Sequence, residues 1–325
     1  MTPVFRWGII GTGSIANSFA RDIALATGHV VSAVGSRTLL KAEEFAAQFQ
    51  CAPLGSYEEL VQQEIDAVYV ATPHPMHVSN TILALEHGKP VLCEKPFAIN
   101  ARESAAMIAV AQHEDLLLVE AMWSRFLPHY RKIKELIDAG EFGDIISVSA
   151  DHGQLLPLPK YYRLHAPQLA GGALLDLGIY PISFAYLALG KPRAIFARAE
   201  FTPTGVDSQT SIILQYNSGA HANLTTTLLV KSPCTATIVG TKASIFIDGD
   251  FHTPTAMRLK RVSGDVVDFP NEYQGNGLRE QAVEFAHLLQ SGKKESNLMT
   301  LRDTQSIMET MDEIRNQVGL IYPLD

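Results

Sequence analysis

The chain has little cysteine, no surplus of basic charge and no long uninterrupted apolar run. Its three cysteines, Cys51, Cys93 and Cys234, are an odd number without CxxC spacing. That speaks against a disulfide framework or a thiolate zinc site and fits a reducing, cytoplasmic compartment. Against 34 Asp and Glu stand only 26 Lys and Arg, a formal net charge of −8, so no nucleic-acid partner is expected. The longest apolar stretch, residues 173–189, contains Asp176 and Pro181 and is shorter than the ~20 residues a bilayer requires. The opening MTPVFRWGIIGTG reaches glycine too early for a signal peptide, and no membrane partner is expected. What is present is length and apolar content: 325 residues, 46% hydrophobic and 18% charged. At roughly 100–200 residues per domain this implies two domains, each with its own core.

The first part of the chain alternates. Apolar β-rich runs at residues 4–10, 29–35, 67–71, 90–93 and 116–120 interleave with helical periods at 14–26, 39–49, 76–87 and 100–112. Ser56-Tyr-Glu-Glu59 has the spacing of a capping box, so a short helix starts after Ser56. Strands alternating with helices predict a doubly wound, parallel α/β sheet of Rossmann type over residues 1–121. From about residue 143 the rhythm changes to strands at 145–152, 194–201, 208–216, 220–229, 235–239 and 244–248. Asn217-Ser-Gly219 and Gly240-Thr-Lys-Ala243 carry hairpin turn residues. With helices at 173–189, 278–290 and 301–318, residues 122–325 read as an α+β domain with a large, mostly antiparallel open sheet.

Gly11-Thr-Gly13-Ser-Ile-Ala16 is a GxGxxA pattern set between a strand and a helix. Gly11 permits the tight turn, Gly13 lets backbone approach a pyrophosphate, and Ala16 allows close helix–strand packing. Gly11, Gly13, Ser14 and Ile15 then present N–H groups at a helix N-terminus, where anions are favoured. Specificity is read near the end of the second strand, where an acid would hold the ribose hydroxyls of NAD. Here the chain reads Ser36-Arg37-Thr38, and no Asp or Glu falls between Asp22 and Glu43. A hydroxyl, a guanidinium fork and Lys41 one turn on suit a 2′-phosphate, so NADP(H) is favoured and NAD(H) stays open.

Two further segments sit where open parallel sheets bind ligands, at the carboxyl ends of strands. Thr72, Pro73, His74 and His77 shape the nicotinamide side, and no ligand set accompanies the two histidines to make a metal site. Glu94-Lys95-Pro96 puts a lysine at the next strand's rim. In the second domain Asp176 and Tyr180 are four apart, on one face of an otherwise apolar helix.

The ordered set of GxGxxA, ATPxxxH at 71–77, Glu94-Lys95-Pro96 and GGxxxDxGxY at 171–180 resembles the Gfo/Idh/MocA oxidoreductases over essentially the whole chain. Tyr180, where most of that family has histidine, resembles the dimeric dihydrodiol dehydrogenase branch. So do Glu120-Ala-Met-Trp-Ser-Arg125 and the tail with Gly319 and Tyr322-Pro323. The resemblance implies hydride transfer between a nicotinamide and the hydroxyl or carbonyl of a diol, sugar or polyol. Tyr180 is then the acid–base, Lys95 favours its phenolate, and Asp176 orients Lys95 or a substrate hydroxyl. Free tyrosine titrates near ~10, and bringing it to about 8 requires about 2.7 kcal/mol, which one close ammonium can supply. Trp123, Arg125, Tyr162 and Arg163 are candidates for the substrate wall. The open sheet of the second domain would pair two subunits as a homodimer. Competing readings are a relative that retains its cofactor, as a sugar oxidoreductase or NAD-assisted hydrolase, and a non-catalytic NAD(P)-sensing regulator.

Overall fold

The computed structural model describes residues 4–323 and 325. In chain order it runs β1 (Phe5–Ile10), α1 (Ser14–Ile23), β2 (His29–Gly35), α2 (Leu39–Phe49), β3 (Ala52–Leu54), α3 (Tyr57–Val61) and β4 (Ala67–Val70). Then follow α4 (His77–Glu86), β5 (Val91–Glu94), α5 (Ala101–His113), β6 (Leu118–Ala121), α6 (Pro128–Asp138), β7 (Ile145–Gly153) and α7 (Ile179–Leu189). The remainder is β8 (Ala194–Phe201), β9 (Asp207–Gln215), β10 (His221–Thr227), β11 (Ala236–Gly240), β12 (Ala243–Ile247), β13 (Met257–Arg261), β14 (Val266–Phe269), α8 (Arg279–Gln290) and α9 (Leu301–Val318). The chain divides into two compact units. One comprises residues 1–98, 102–126 and 274–304, the other 99–101, 127–273 and 305–325.

The first unit is built on a six-stranded sheet in the order β3-β2-β1-β4-β5-β6, and every pairing is parallel. Its central strands are apolar along their length because helices cover both faces: β4 and β5 are buried at every residue. The edge strand β3 is not evident in the sequence, since it is three residues long and contains Pro53, a residue confined to sheet edges. The helix after β4 begins with one 3₁₀ turn, His74–Met76, and continues as α4. On the opposite side of the sheet from the Val68–Leu85 core lie Trp7 and Phe19. Phe285 of α8 meets the Trp7 ring at 5.3 Å between centroids.

The return segment is clasped by one carboxylate. Asp22 near the end of α1 is 1% exposed and accepts from the Asn276 N–H (3.1 Å), the Asn276 side-chain amide (2.9 Å) and the Leu278 N–H (2.8 Å).

The second unit carries an eight-stranded sheet in the order β14-β13-β12-β11-β7-β10-β9-β8. All its pairings are antiparallel except β7 with β10. The predicted turns close the hairpins β9–β10 and β11–β12. Alternate rungs face opposite ways: Ala197, Ile212, Leu224, Ala150, Ala236 and Met257 are buried on the inner face, which α7 covers. The adjacent rung, running from Phe196 and Ile213 through Asn223 and Ser149 to Phe246 and Arg258, lies on the open face. Strands β13 and β14 have no counterpart among the strands expected from the sequence, because Arg258 and Lys260 alternate with buried Met257 and Leu259 and dilute the apolar signal. The helix expected at 173–189 starts as a π-turn, Leu174–Gly178. The helical run Pro167–Leu189 is long and apolar enough to span a bilayer by composition, and 83% of its most apolar window is buried as core.

Replacing Asp22 with alanine removes three hydrogen bonds to a buried carboxylate. The expected cost is about 2–3 kcal/mol, read as a lower urea midpoint.

Candidate functional site

In the first unit the glycine turn and the end of β2 open onto one cleft of about 660 Å³. Gly11 has φ +109°, and a Cβ there would stand 2.8 Å from the Ala71 carbonyl oxygen, so only glycine fits between the β1 and β4 ends. A Cβ on Gly13 meets nothing within 4 Å, so the space before the first turn of α1 is free for a ligand. Ser14 and Ile15 open α1 without any side-chain cap, leaving first-turn N–H groups and the dipole to an anion. Ala16 is fully buried, as close packing of α1 requires. Asn17, unremarked in the sequence, fixes the turn by donating to the Gly13 and Thr12 carbonyls at 2.9 and 3.3 Å.

Ser36, Arg37 and Lys41 line the same cleft with Thr38, Tyr57, Thr72 and Pro73. Thr38 is the N-cap of α2, so a second helix N-terminus stands behind Arg37. The acid among the residues lining the cleft is Glu44 on α2, and no acid stands at the end of β2. Burial raises the Tyr57 phenol while the Arg37 charge lowers it. These residues fit a dinucleotide: glycine turn and helix for the pyrophosphate, cationic rim for a further phosphate.

His74 and His77 are both buried. The His77 ring lies 2.9 Å from both the Thr72 and the Pro96 carbonyl oxygens, and burial, with His74 beside it, holds its pKa down to about 3. His77 therefore stays neutral and ties two strand-end loops together. Asn80 adds a bond to the Thr72 hydroxyl at 3.1 Å. Among the described residues no cluster of three His, Cys, Asp or Glu suits a metal.

Glu94 is buried and accepts from the Tyr69 hydroxyl and, at 3.2 Å, from the Lys95 N–H. Tyr69 in turn stacks on Phe19 of α1, centroids 3.8 Å apart. Lys95 is half-buried, and the Lys95–Pro96 bond is cis. Trp123 and Arg125 lie on a buried 3₁₀ turn, Trp123–Phe126, with the Arg125 guanidinium 3.5 Å from the Leu298 carbonyl and facing Glu120.

In the second unit the π-turn sets Asp176 and Tyr180. Gly171 and Gly172 lead into it, and a Cβ on either would stand within 2.6 Å of Leu164 or Asp207 oxygen. Asp207 holds the start of the turn by accepting the Leu174 N–H at 2.8 Å, and burial pushes its carboxyl up to about 6. Asp176 accepts from Arg163 at 2.8 Å. Tyr162 is 58% exposed, its hydroxyl bonded by Gln168. Tyr180 is buried against two histidines absent from the sequence reading, His152 (centroids 5.2 Å) and His252 (4.8 Å). The His152 Nδ1–H donates to the Leu177 carbonyl at 3.2 Å, so its Nε2 accepts from Gln154 at 2.9 Å. No spacing links residues 152 and 252 to 180; only sheet topology brings them together.

A parallel sheet with a glycine turn, an uncapped helix N-terminus and a basic rim defines a Rossmann-type dinucleotide-binding protein. Residues 5–121 match the family described as oxidoreductase, NAD-binding Rossmann fold, and residues 130–246 match the GFO/IDH/MocA C-terminal domain. The chain belongs to the Gfo/Idh/MocA oxidoreductase family. It is 38% identical to trans-1,2-dihydrobenzene-1,2-diol dehydrogenase of Xenopus laevis, covering 98% of this chain and 99% of that one. It is 34% identical to D-xylose 1-dehydrogenase (NADP(+)) of Hypocrea jecorina, covering 98% and 93%. Among solved structures it is similar to a 3-ketoreductase from Actinomadura kijaniata in complex with NADP, with TM-score 0.84 and 25% identity over 97% of this chain and 98% of that one.

The open space before Gly13 gives a direct check. Gly13→Val should fold with stability changed by no more than about 0.5 kcal/mol. It should weaken dinucleotide binding about 30-fold, some 2 kcal/mol, in a fluorescence titration.

Proposed function

We propose that the chain is an NADP-dependent dehydrogenase that interconverts the hydroxyl and carbonyl of a diol, sugar or polyol. The observation that carries the cofactor choice is the rim of Ser36, Arg37, Thr38 and Lys41 with no acid at the end of β2. It suits a 2′-phosphate, and the NADP-linked xylose dehydrogenase relative and NADP-bound 3-ketoreductase support it. The diol and xylose dehydrogenase relatives support the substrate class.

When bound, the nicotinamide supplies or takes the hydride. Gly11, Gly13, Ser14 and Ile15 hold the pyrophosphate, and Thr72, Pro73 and Glu94 bound the reactive end, with His74 and His77 behind them. The Tyr180 phenol is the group assigned to give its proton to the substrate oxygen, or to take it, and Lys95 is the cation assigned to the reaction on the nucleotide side. Asp176, which accepts from Arg163, is assigned to orient a substrate hydroxyl. Trp123 and Arg125 in the first unit, and Tyr162 in the second, are the residues assigned to substrate contact. Three free cysteines support a reducing, cytoplasmic setting.

The test is a spectrophotometric panel of diols, aldoses and polyols with NADP+ and NAD+ in parallel. NADP+ should give the higher kcat/KM, and Arg37→Ala should narrow that preference about 10–100-fold, roughly 1.4–2.7 kcal/mol. Tyr180→Phe and Lys95→Met should each lower kcat by about 10²–10⁴-fold while NADPH binding persists. Full activity of Tyr180→Phe would remove the acid–base assignment.

A second copy of the chain fits the open face of the eight-stranded sheet, where Phe196, Ile213 and Phe246 stand exposed beside polar neighbours. Sedimentation equilibrium should return twice the 35.5 kDa chain mass, and Phe246→Glu should shift it toward one.

A further inference from the structure

One aromatic side chain lies in the dinucleotide cleft with no part yet in its chemistry. Strands β2 and β3 run parallel, and Gly35 pairs with Leu54 at the end they share. The Ser36 N–H donates to the Leu54 carbonyl at 3.2 Å, so the two segments leave the sheet side by side. One continues as Ser36-Arg37-Thr38, the other as Gly55-Ser56-Tyr57. Sheet register therefore delivers Tyr57 to the basic rim, although 20 residues separate it from Arg37 along the chain.

Tyr57 is held there firmly. The Ser56 hydroxyl accepts from the Glu59 N–H at 3.1 Å, and the Glu59 carboxylate accepts from the Gly55 N–H at 3.0 Å, which fixes the start of α3. The Tyr57 ring packs on the core cluster that contains Ile10, Leu60 and Val61. A Cβ on Gly35 would stand 3.0 Å from the Ser56 carbonyl oxygen and 3.4 Å from the Tyr57 ring, so glycine there lets the ring close on the strand end. Tyr57 also lines the cleft, together with Ser36, Arg37, Thr38 and Lys41. Phenylalanine would supply the same packing; what tyrosine adds is the hydroxyl. Burial raises the phenol's pKa and the Arg37 charge opposes it, with a net rise, so near neutral pH the group is a protonated donor.

We propose that Tyr57 is a specificity-determining residue of the cofactor site: its hydroxyl donates a hydrogen bond to the 2′-phosphate of NADP(H). This rests on the NADP reading given above. A phosphate monoester offers about two negative charges and three strong acceptor oxygens. Arg37 can engage two of those oxygens as a fork, and Lys41 supplies a point charge. The phenol adds a third kind of donor, neutral and fixed in direction by a ring that packing has already immobilised. A hydrogen bond to an ionised acceptor is roughly twice as strong as a neutral one. The ribose hydroxyl of NAD(H) is a neutral acceptor, so the Tyr57 bond favours NADP(H).

The test is binding and needs no turnover. Isothermal titration calorimetry of the intact chain compares adenosine 2′,5′-bisphosphate with adenosine 5′-monophosphate, which lacks only the 2′-phosphate. The wild type should bind the bisphosphate more tightly. Tyr57→Phe should weaken the bisphosphate about tenfold, the order of one hydrogen bond to a charged group, and leave the monophosphate within about twofold. Unchanged bisphosphate binding in Tyr57→Phe, or an equal loss for both nucleotides, would overturn the proposal and leave the NADP reading in place. Equal affinities in the wild type would overturn both. If Tyr57→Phe does not fold, nitration of Tyr57 in the wild type, followed by mass spectrometry, decides. At equal saturation the bisphosphate should slow that nitration about threefold more than the monophosphate does. Equal protection by the two nucleotides would overturn the proposal.

Discussion

A single neutral imidazole holds together the two loops on which the nucleotide half of the site depends. His77 sits fully buried between the Thr72 carbonyl, which belongs to the floor of the dinucleotide cleft, and the Pro96 carbonyl, which belongs to the lysine turn. Neutral imidazole has one N–H, so it donates to one carbonyl while its packing keeps the other in place. Burial, with His74 beside it, holds the ring's pKa down to about 3, so near neutral pH it is uncharged. The cleft and the turn are therefore set by backbone, with side chains as props.

The second unit solves a similar problem with different means. Asp176 and Tyr180 must leave an apolar helix in a defined direction, and a π-turn re-aims them at the cost of irregular backbone hydrogen bonding. Asp207 supplies the missing acceptor at the turn's start, and the Tyr322 hydroxyl donates to the Gly171 carbonyl at 2.7 Å from the far end of the chain. Tyr322 is itself braced by Arg315, whose guanidinium lies 4.6 Å from its ring. A local irregularity in one helix is thus held by residues more than thirty and more than a hundred positions away.

How legible all this was in the sequence follows the range of the forces involved. The GxGxxA turn, the capping Ser56 and the alternating apolar runs are local, and each lies within a few residues of where periodicity places it. The Arg37 and Lys41 rim is also local, since both follow one strand. Strand β3 was hidden by Pro53, and β13 by its charged outer face. Helix α6 opens on Pro128 and buries only His129, Tyr130 and Ile133. The π-turn has the composition of an ordinary helix. His152 and His252 could not be picked out by spacing, because they meet Tyr180 only through the fold of the second unit.

The return of residues 274–304 to the first unit has a consequence for how the protein is made. Trp7 leaves the ribosome some 280 residues before its partner Phe285. At roughly 5–20 residues per second that is a wait of about 14–56 seconds. Throughout it the face of the parallel sheet that α8 later closes stays open, with the Asp22 carboxylate still lacking the N–H groups it is to hold. The nascent N-terminal half is therefore a client for whatever shields apolar surface during translation, and a fragment ending at residue 126 would remain one.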